Sequence, residues 1–536
     1  MKLIADATAE KLRGGFYTPE PIAEFILRWG INGSFDYDIL EPSCGDGVFL
    51  EQLRKHSLTY GSLTAIELDE AEYDKASHIS LPNKLVINAD FHTYCNNTLQ
   101  RFDLVVGNPP YIRYQFFDRE QQVEAENIFI KAGLTYSKLT NAWVSFVVGS
   151  SLLLKEKGGK IGFVLPAEVL QVSFAKQLRN FLAHFYNKIN IISFEKLVFP
   201  NIQQEVVLLL CEKNVSKQHN IEHFELKDAS ELKNLDIALL KSPKKRIDFK
   251  SNKWTFYFLD QDEIDFLENI AKRYDIANIG KYANVEVGIT TGSNDFFTVP
   301  LTTVEEYNLE HYAKPMVGRS VQVNSVIFTL EDWQKNKLSK AKAHLLVFPR
   351  KDQLDQKNGA VRYIEYGEKL NIHTGYKTGI RDDWFVVPSL KISDALFIRR
   401  NNLYPRLIIN EAKAFTTDTM HRVFLKHGVN IAAFTASYYN SLSLAFTEVS
   451  GRSHGGGVLE LMPNEAERVL LPYHPDNAAL LPKIDEMIRN KADIEDILKL
   501  TNQVILKNHF NLSQEEIDLA SRIWKKLSLR RRSRGK

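Results

Sequence analysis

Residues Tyr37–Asp69 read "YDILEPSCGDGVFLEQLRKHSLTYGSLTAIELD". The stretch opens on an apolar strand, "YDIL", and breaks into Glu41, a proline and small residues that include Gly45 and Gly47. "VFLEQLRKH" then places apolar residues at helical spacing, and "LTAIELD" is a second apolar run that ends in acids. Strand, tight turn, helix and strand within about thirty residues make a βαβ unit, whose two strands lie parallel.

The pattern continues outward. "YTPEPIAEFILRWG" (17–30) predicts a helix capped by Thr18 with Pro19 in its first position, Ile22, Phe25, Ile26 and Trp29 on one face, and Gly30 closing it. A third strand, "KLVINAD", ends at Asp90, and a fourth, "FDLVVGNPPYIRY" (102–114), runs apolar through Val106 and breaks at Asn-Pro-Pro-Tyr. Two consecutive prolines cannot continue a core strand. The helix "AWVSFVVGSSLLLKEK", the strand "KIGFVLP", the helix "SFAKQLRNFLAHF" and the strands "INIISFEKL" and "EVVLLLCEK" follow. Strands alternating with helices predict an α/β fold with an open, mostly parallel sheet, which binds ligands at the carboxyl ends of its strands. The unusual segments all fall at those ends.

A chain of 536 residues is long enough for two or three domains, and 44% hydrophobic with 25% charged residues is ordinary for a globular protein. Three scattered cysteines (Cys44, Cys95, Cys211) exclude a disulfide framework and a cysteine zinc site. No apolar run reaches the ~18 residues of a membrane span, so a cytoplasmic, monomeric protein without a metal is expected. The net charge of +2 announces no nucleic acid globally. Three regions are expected: 1–240 as a catalytic domain, 241–475 as a mixed second domain after the basic linker "KSPKKRIDFKSNK", and 476–536 as a helical segment. In the last, Ile517, Ala520, Ile523, Trp524 and Leu527 share one face, and the tail "LRRRSRGK" reads as solvated and disordered.

The strand ends suggest a particular chemistry. "EPSCGDG" lacks the spacing of a phosphate cradle, yet its glycines let backbone approach a ligand. Glu67 ends the second strand about 20 residues on, where a nucleoside-binding sheet places its ribose-gripping acid. Asp90 offers an acceptor for an adenine amine, and Glu41 a carboxylate for an ammonium. A ribose, an adenine, an ammonium and no phosphate describe S-adenosylmethionine. Asn108 offers an amide oxygen, Pro109 a backbone carbonyl, and Tyr111 a ring; together they suit a planar amino group that must be made nucleophilic.

The ordered series "YTPEPIAEFI", "EPSCGDGVFL", "AIELD", "NADF", "VVGNPPYIRY", "KIGFVLP" and "KLVFPNIQQEVVLLL" closely resembles the gamma class of DNA adenine-N6 methyltransferases, the TaqI-like family of type II restriction-modification methylases. The resemblance implies a class I, Rossmann-like domain with an antiparallel last strand. It implies S-adenosylmethionine as cofactor, held by Tyr17, Thr18, Glu41, Ser43, Gly45, Glu67, Leu68, Asp90, Phe91, Asn108, Pro110 and Phe146. It assigns Asn108, Pro109, Tyr111 and Phe199 to a flipped adenine in double-stranded DNA, and a cognate restriction endonuclease to the same DNA site. "CGDG" departs from the pair some members carry, so Asp46 is not carried over as a contact. Weaker likeness in "AKPMVGRSV" and "EVSGRSHGGGVLELMPNEAERVLLP" implies a target-recognition domain, with Lys314, Arg319, Arg452 and His454 as DNA contacts.

Two rivals share motifs. Methyltransferases of release-factor glutamine also carry Asn-Pro-Pro-Tyr, without the leading Thr-Pro segment or the long second half. A fused nuclease would find an E-x-K match in "RLIINEAKAF" (Glu411, Lys413) with Asp383 and Asp394 as partners, where a surface strand is the simpler reading.

Overall fold

In the computed structural model, residues 17–536 are described except 33–35, 138–139, 200–203, 214–217, 236–244, 250–252, 355–358, 455 and 534–536. They divide into two compact units, up to Ile264 and from Asp265.

The first unit is built on a nine-stranded sheet. Its strands are β1 (Asp38–Glu41), β2 (Ser62–Glu67), β3 (Lys84–Asn88), β4 (Leu104–Gly107), β5 (Lys160–Pro166), β6 (Lys188–Phe194), β7 (Val206–Glu212), β8 (Asn220–Leu226) and β9 (Lys245–Arg246). Their spatial order is β3-β2-β1-β4-β5-β7-β6-β8-β9. Strands β1 to β5 pair in parallel, and β7 runs antiparallel to both β5 and β6. This is the expected mostly parallel sheet with its antiparallel strand, β7, though β7 is not the last strand, since β8 and β9 extend the edge beyond β6. Helices α1 (Glu20–Ile31), α2 (Val48–Lys55), α3 (Glu70–His78), α4 (Phe91–Asn97), α5 (Arg119–Lys131), α6 (Ala142–Leu152) and α7 (Lys176–Phe185) connect or cover it. The central strands β4 and β5 are buried at every residue, as a sheet covered on both faces requires, while the edge strand β3 is not. The chain runs outward from β1 to β3 and returns to place β4 on the other side of β1. That reversal opens a crevice at the strand ends between β1 and β4.

Local details correct four expectations. Thr18 makes no cap bond; Pro19 occupies the cap position of α1, and the helix continues past Gly30 to Ile31, where Asn32 turns left-handed (φ 39°) and ends it. Gly30 serves packing instead, since a Cβ there would lie 2.6 Å from Leu104. Helix α6 stops at Leu152, short of the expected Lys157. Within the expected linker, Lys245–Arg246 adds a strand to the sheet edge, with Lys245 Nζ donating to the Tyr257 carbonyl (2.8 Å).

The second unit is mixed α+β. One sheet pairs 283–287, 420–425, 395–398 and 407–409 in antiparallel fashion. Another joins 298–299, 344–346, 313–317 and 415–416, and a three-stranded ribbon joins 400–401, 459–460 and 452–453. Helices then dominate to Ser533. The basic tail continues the last helix to Ser533, with Arg532 exposed but Arg531 buried. Arg531 lies inside the last helix, 2% exposed, pairs with Glu448 through two bonds (2.7 and 3.0 Å) and donates to the carbonyls of Asn402, Leu403 and Gly457. Sequence periodicity cannot distinguish a solvated arginine run from one whose middle member faces a buried acid.

Candidate active site

The ends of β1, β2, β3 and β4 enclose a cavity of about 490 Å³, within the range of small-molecule sites. Its wall includes all twelve residues expected to hold the cofactor, from Tyr17 to Phe146. Pro109, Tyr111 and Phe199 do not line it.

The loop after β1 is shaped by glycine. Gly45 (φ 53°) and Gly47 (φ 89°) are left-handed, and a Cβ on Gly47 would lie 2.5 Å from Ile79. The loop is tied to β2, since Cys44 N–H donates to the Ile66 carbonyl (2.9 Å) and Gly45 N–H to Glu67 Oε2 (2.8 Å). Glu67 Oε1 accepts the Asp69 N–H at 2.9 Å. Each carboxylate oxygen thus holds an amide, and the Leu68 amide acts on the same group.

Acidic groups crowd this wall. Glu41 is 1% exposed, and its Oε2 makes no hydrogen bond among the described residues. Burial first, then Glu67 and Asp46, push its carboxyl well above the usual range. Burial raises Glu67 as well, against the pull of the Asp69 and Gly45 amides. Asp46, which also lines the cavity, is raised by burial and then by Glu72. A buried carboxylate without a partner is costly, and these groups together want a cation.

The far wall is aromatic. Phe91 and Phe146 stack with centroids 4.8 Å apart and planes at 25°. Behind them His92, fully buried, contacts Ser145 Oγ through Nε2 (2.7 Å) and lies 3.5 Å from Asp90 Oδ2 through Nδ1. Asp90 caps α4 by accepting the Thr93 N–H (2.9 Å). Burial acts to raise the Asp90 carboxyl, but His92 and the Thr93 bonds outweigh it and leave it below the usual value.

At the end of β4, Asn108 and Pro110 reach the cavity, and Ser43 Oγ donates to the Asn108 carbonyl (3.4 Å). Tyr111 is anchored by its hydroxyl to the Val164 carbonyl of β5 (3.1 Å). Its ring and that of Phe199 pack in one apolar cluster with Val106, Val164 and Val206.

Sequence reasoning missed His92, Glu72, Gln121, Ile112, Phe116 and Phe117, which also line the cavity. His92 directly follows the "NADF" motif, so position could have marked it. The others lie in α3, α5 or the irregular run 112–118, where no motif stands out.

In the second unit Lys314 and Arg319 are exposed. Arg452 Nε is held by Glu465 Oε1 (2.9 Å), and His454 Nε2 by Glu460 Oε2 (2.9 Å). The residues of the nuclease rival do not assemble. Glu411 and Lys413 are exposed at a turn, Asp394 Oδ2 accepts the Leu425 N–H, and Asp383 accepts the Lys351 N–H. Among the described residues they form no group able to hold a metal.

Strand order, glycine turn and acidic strand ends define a class I methyltransferase. Residues 51–199 match the family "Eco57I restriction-modification methylase", and residues 251–506 match "Type II methyltransferase M.Eco57I, C-terminal domain". The Type II methyltransferase M.AccI of Acinetobacter calcoaceticus is 24% identical over 471 residues, covering 85% of this chain and 84% of that protein. The Type II methyltransferase M.HincII of Haemophilus influenzae is 31% identical over 230 residues, 42% of each chain. Among solved structures, the DrdV–DNA complex shares the fold at a TM-score of 0.51 and 11% identity, over 90% of this chain and 58% of that one. Both halves of the chain thus match Eco57I-type restriction-modification methylases, and with the Type II methyltransferase relatives they support a DNA methyltransferase that uses S-adenosylmethionine. No helix among the described residues is long and apolar enough to cross a membrane.

Proposed function

We propose that this enzyme methylates the exocyclic amino group of an adenine, flipped out of duplex DNA, within one short recognition sequence. One observation carries the reading. Asn108 follows β4 at the point where the strand order reverses, on the wall of a cavity that also carries Glu41, Asp46 and Glu67.

The residues fit the cofactor on their own chemistry. Glu41 and its acidic neighbours suit a ligand with two positive centres, Glu67 suits a ribose diol, and Phe91 with Phe146 offers an apolar wall for a purine. Asp90 has an oxygen for the purine amine, and Tyr17, Thr18, Ser43, Gly45, Leu68 and Pro110 complete the pocket. When bound, S-adenosylmethionine supplies an electrophilic methyl group on a sulfonium leaving group.

The chain's own work is to prepare the acceptor. An adenine amino nitrogen is a weak nucleophile because its lone pair is delocalised. The Asn108 amide oxygen accepts one amino proton and the Pro109 carbonyl the other, which returns electron density to nitrogen. Extruding the base costs a few kcal/mol, and stacking on an aromatic ring returns ~1–3 kcal/mol per base. Tyr111 and Phe199 are assigned to that stacking. Lys314 and Arg319 are assigned to phosphate; Arg452 and His454 complete the DNA-facing set, with part of their donors committed to Glu465 and Glu460. A restriction endonuclease of the same specificity is the expected companion.

The test separates catalysis from binding. Asn108→Ala should abolish methyl transfer to a duplex while DNA affinity stays within about twofold of wild type. Near-normal turnover in a folded Asn108→Ala protein overturns the assignment.

A further inference from the structure

We propose a binding site for a divalent transition-metal ion of the zinc class in the second unit, formed by His474, Asp476 and His509. One ligand atom from each of the three lies within 4.8 Å of the others, the single such group of three among the described residues. The imidazole rings face each other with centroids 4.5 Å apart and planes at 32°, and His474 Nδ1 is 3.7 Å from Asp476 Oδ2.

The protonation pattern around His509 prepares it for a metal. Its Nδ1 is 2.6 Å from Asn477 Oδ1. Asn477 is fully buried, and its Nδ2 donates to Ser437 Oγ (2.8 Å) and the Pro472 carbonyl (3.1 Å). Both amide hydrogens are thereby used, so the amide oxygen must face His509 and Nδ1 must carry the proton. The lone pair is left on Nε2. A buried amide oxygen holding one ring nitrogen so that the other can ligate is the usual outer support of a metal-bound histidine. On His474, Nδ1 accepts only a long contact from the Asp476 N–H (3.3 Å), which an ion displaces.

Backbone geometry adds a second support. Asn502–His509 form a π-helix, an uncommon conformation frequent at functional sites, and it ends at His509. Two imidazoles and one carboxylate with a water as fourth ligand are a common zinc donor set, and imidazole equally suits nickel, copper and cobalt. The ion would tie the 472–477 segment to the end of the π-helix. Nothing in His474-x-Asp476 followed by a histidine 33 positions later resembles a zinc motif, which is why sequence reading passes over it.

The experiment uses chelator-treated full-length protein titrated with Zn2+ and, as a spectroscopic probe, Co2+. One ion per chain should bind, Co2+ should show visible ligand-field bands, and saturating Zn2+ should raise the thermal midpoint by several degrees. His474→Ala and His509→Ala should abolish all three signals. Asp476→Asn, a change at an exposed side chain that leaves folding intact, should weaken binding tenfold or more. DNA methylation should persist in Asp476→Asn. Absence of stoichiometric binding to wild type, or binding unchanged in Asp476→Asn and in a folded histidine variant, overturns the proposal.

Discussion

Replacing Glu67 tests how the pocket grips its cofactor. The carboxylate accepts one amide on each oxygen, Gly45 at 2.8 Å and Asp69 at 2.9 Å, and its remaining lone pairs are assigned to the ribose hydroxyls. Hydrogen bonds to a charged group contribute ~1.5–3 kcal/mol each. Losing one such bond in Glu67→Ala corresponds to about ten- to 150-fold weaker binding, at 1.36 kcal/mol per decade. Glu67→Gln should fare little better than alanine, because its NH2 must face one of the two amide donors. Calorimetry with S-adenosylmethionine and with the demethylated product should give equal losses, since both carry the ribose. Circular dichroism establishes that the variants are folded. A folded Glu67→Ala protein binding both ligands within twofold of wild type refutes the ribose assignment.

Glu41 makes a pH prediction. Its folded carboxyl is raised above the usual value by burial and by Glu67 and Asp46. A raised acid stabilises the fold while protonated and loses that contribution as pH rises through the folded value. In cofactor-free protein Glu41 should therefore contribute a loss of stability from acid toward neutral pH, so Glu41→Gln should gain stability relative to wild type as pH rises, and cofactor should remove that difference; thermal midpoints that keep a constant offset across pH contradict the assignment. For the buried Arg531–Glu448 pair, Arg531→Ala should destabilise the second unit by about 3–5 kcal/mol, because the acid is left buried and unpaired. Arg531→Met with Glu448→Leu should recover much of it, and denaturant unfolding of the variants checks both. Purified enzyme with magnesium should not cut plasmid DNA, and methylation should proceed in chelator; cleavage lost on Glu411→Ala would revive the fused-nuclease reading.

The first unit was largely legible because each strand is a compact apolar run closed by an unusual residue, and those residues share one end of the sheet. Glu41, Glu67, Asp90 and Asn108 could be grouped without knowing any distance. What pattern could not supply is contact between segments distant in sequence. The role of Gly30 depends on Leu104, and the burial of Arg531 on Glu448. The edge strand at Lys245–Arg246 is two residues long within a basic stretch, too short to give a period. In the second unit the strands are short and the loops long, so periodicity marked few elements before the final helix. The Arg452 and His454 loop looked open by composition, yet Glu465 and Glu460 hold both side chains.

The modified base itself can be read directly. DNA from cells expressing this protein should be digested to nucleosides for mass spectrometry and, in parallel, sequenced with a method that reads methylated bases. N6-methyladenine should appear at one short recurring sequence and be absent from cells expressing Asn108→Ala. Methyl groups on cytosine, or none on DNA from cells making soluble wild-type protein, would contradict this reading.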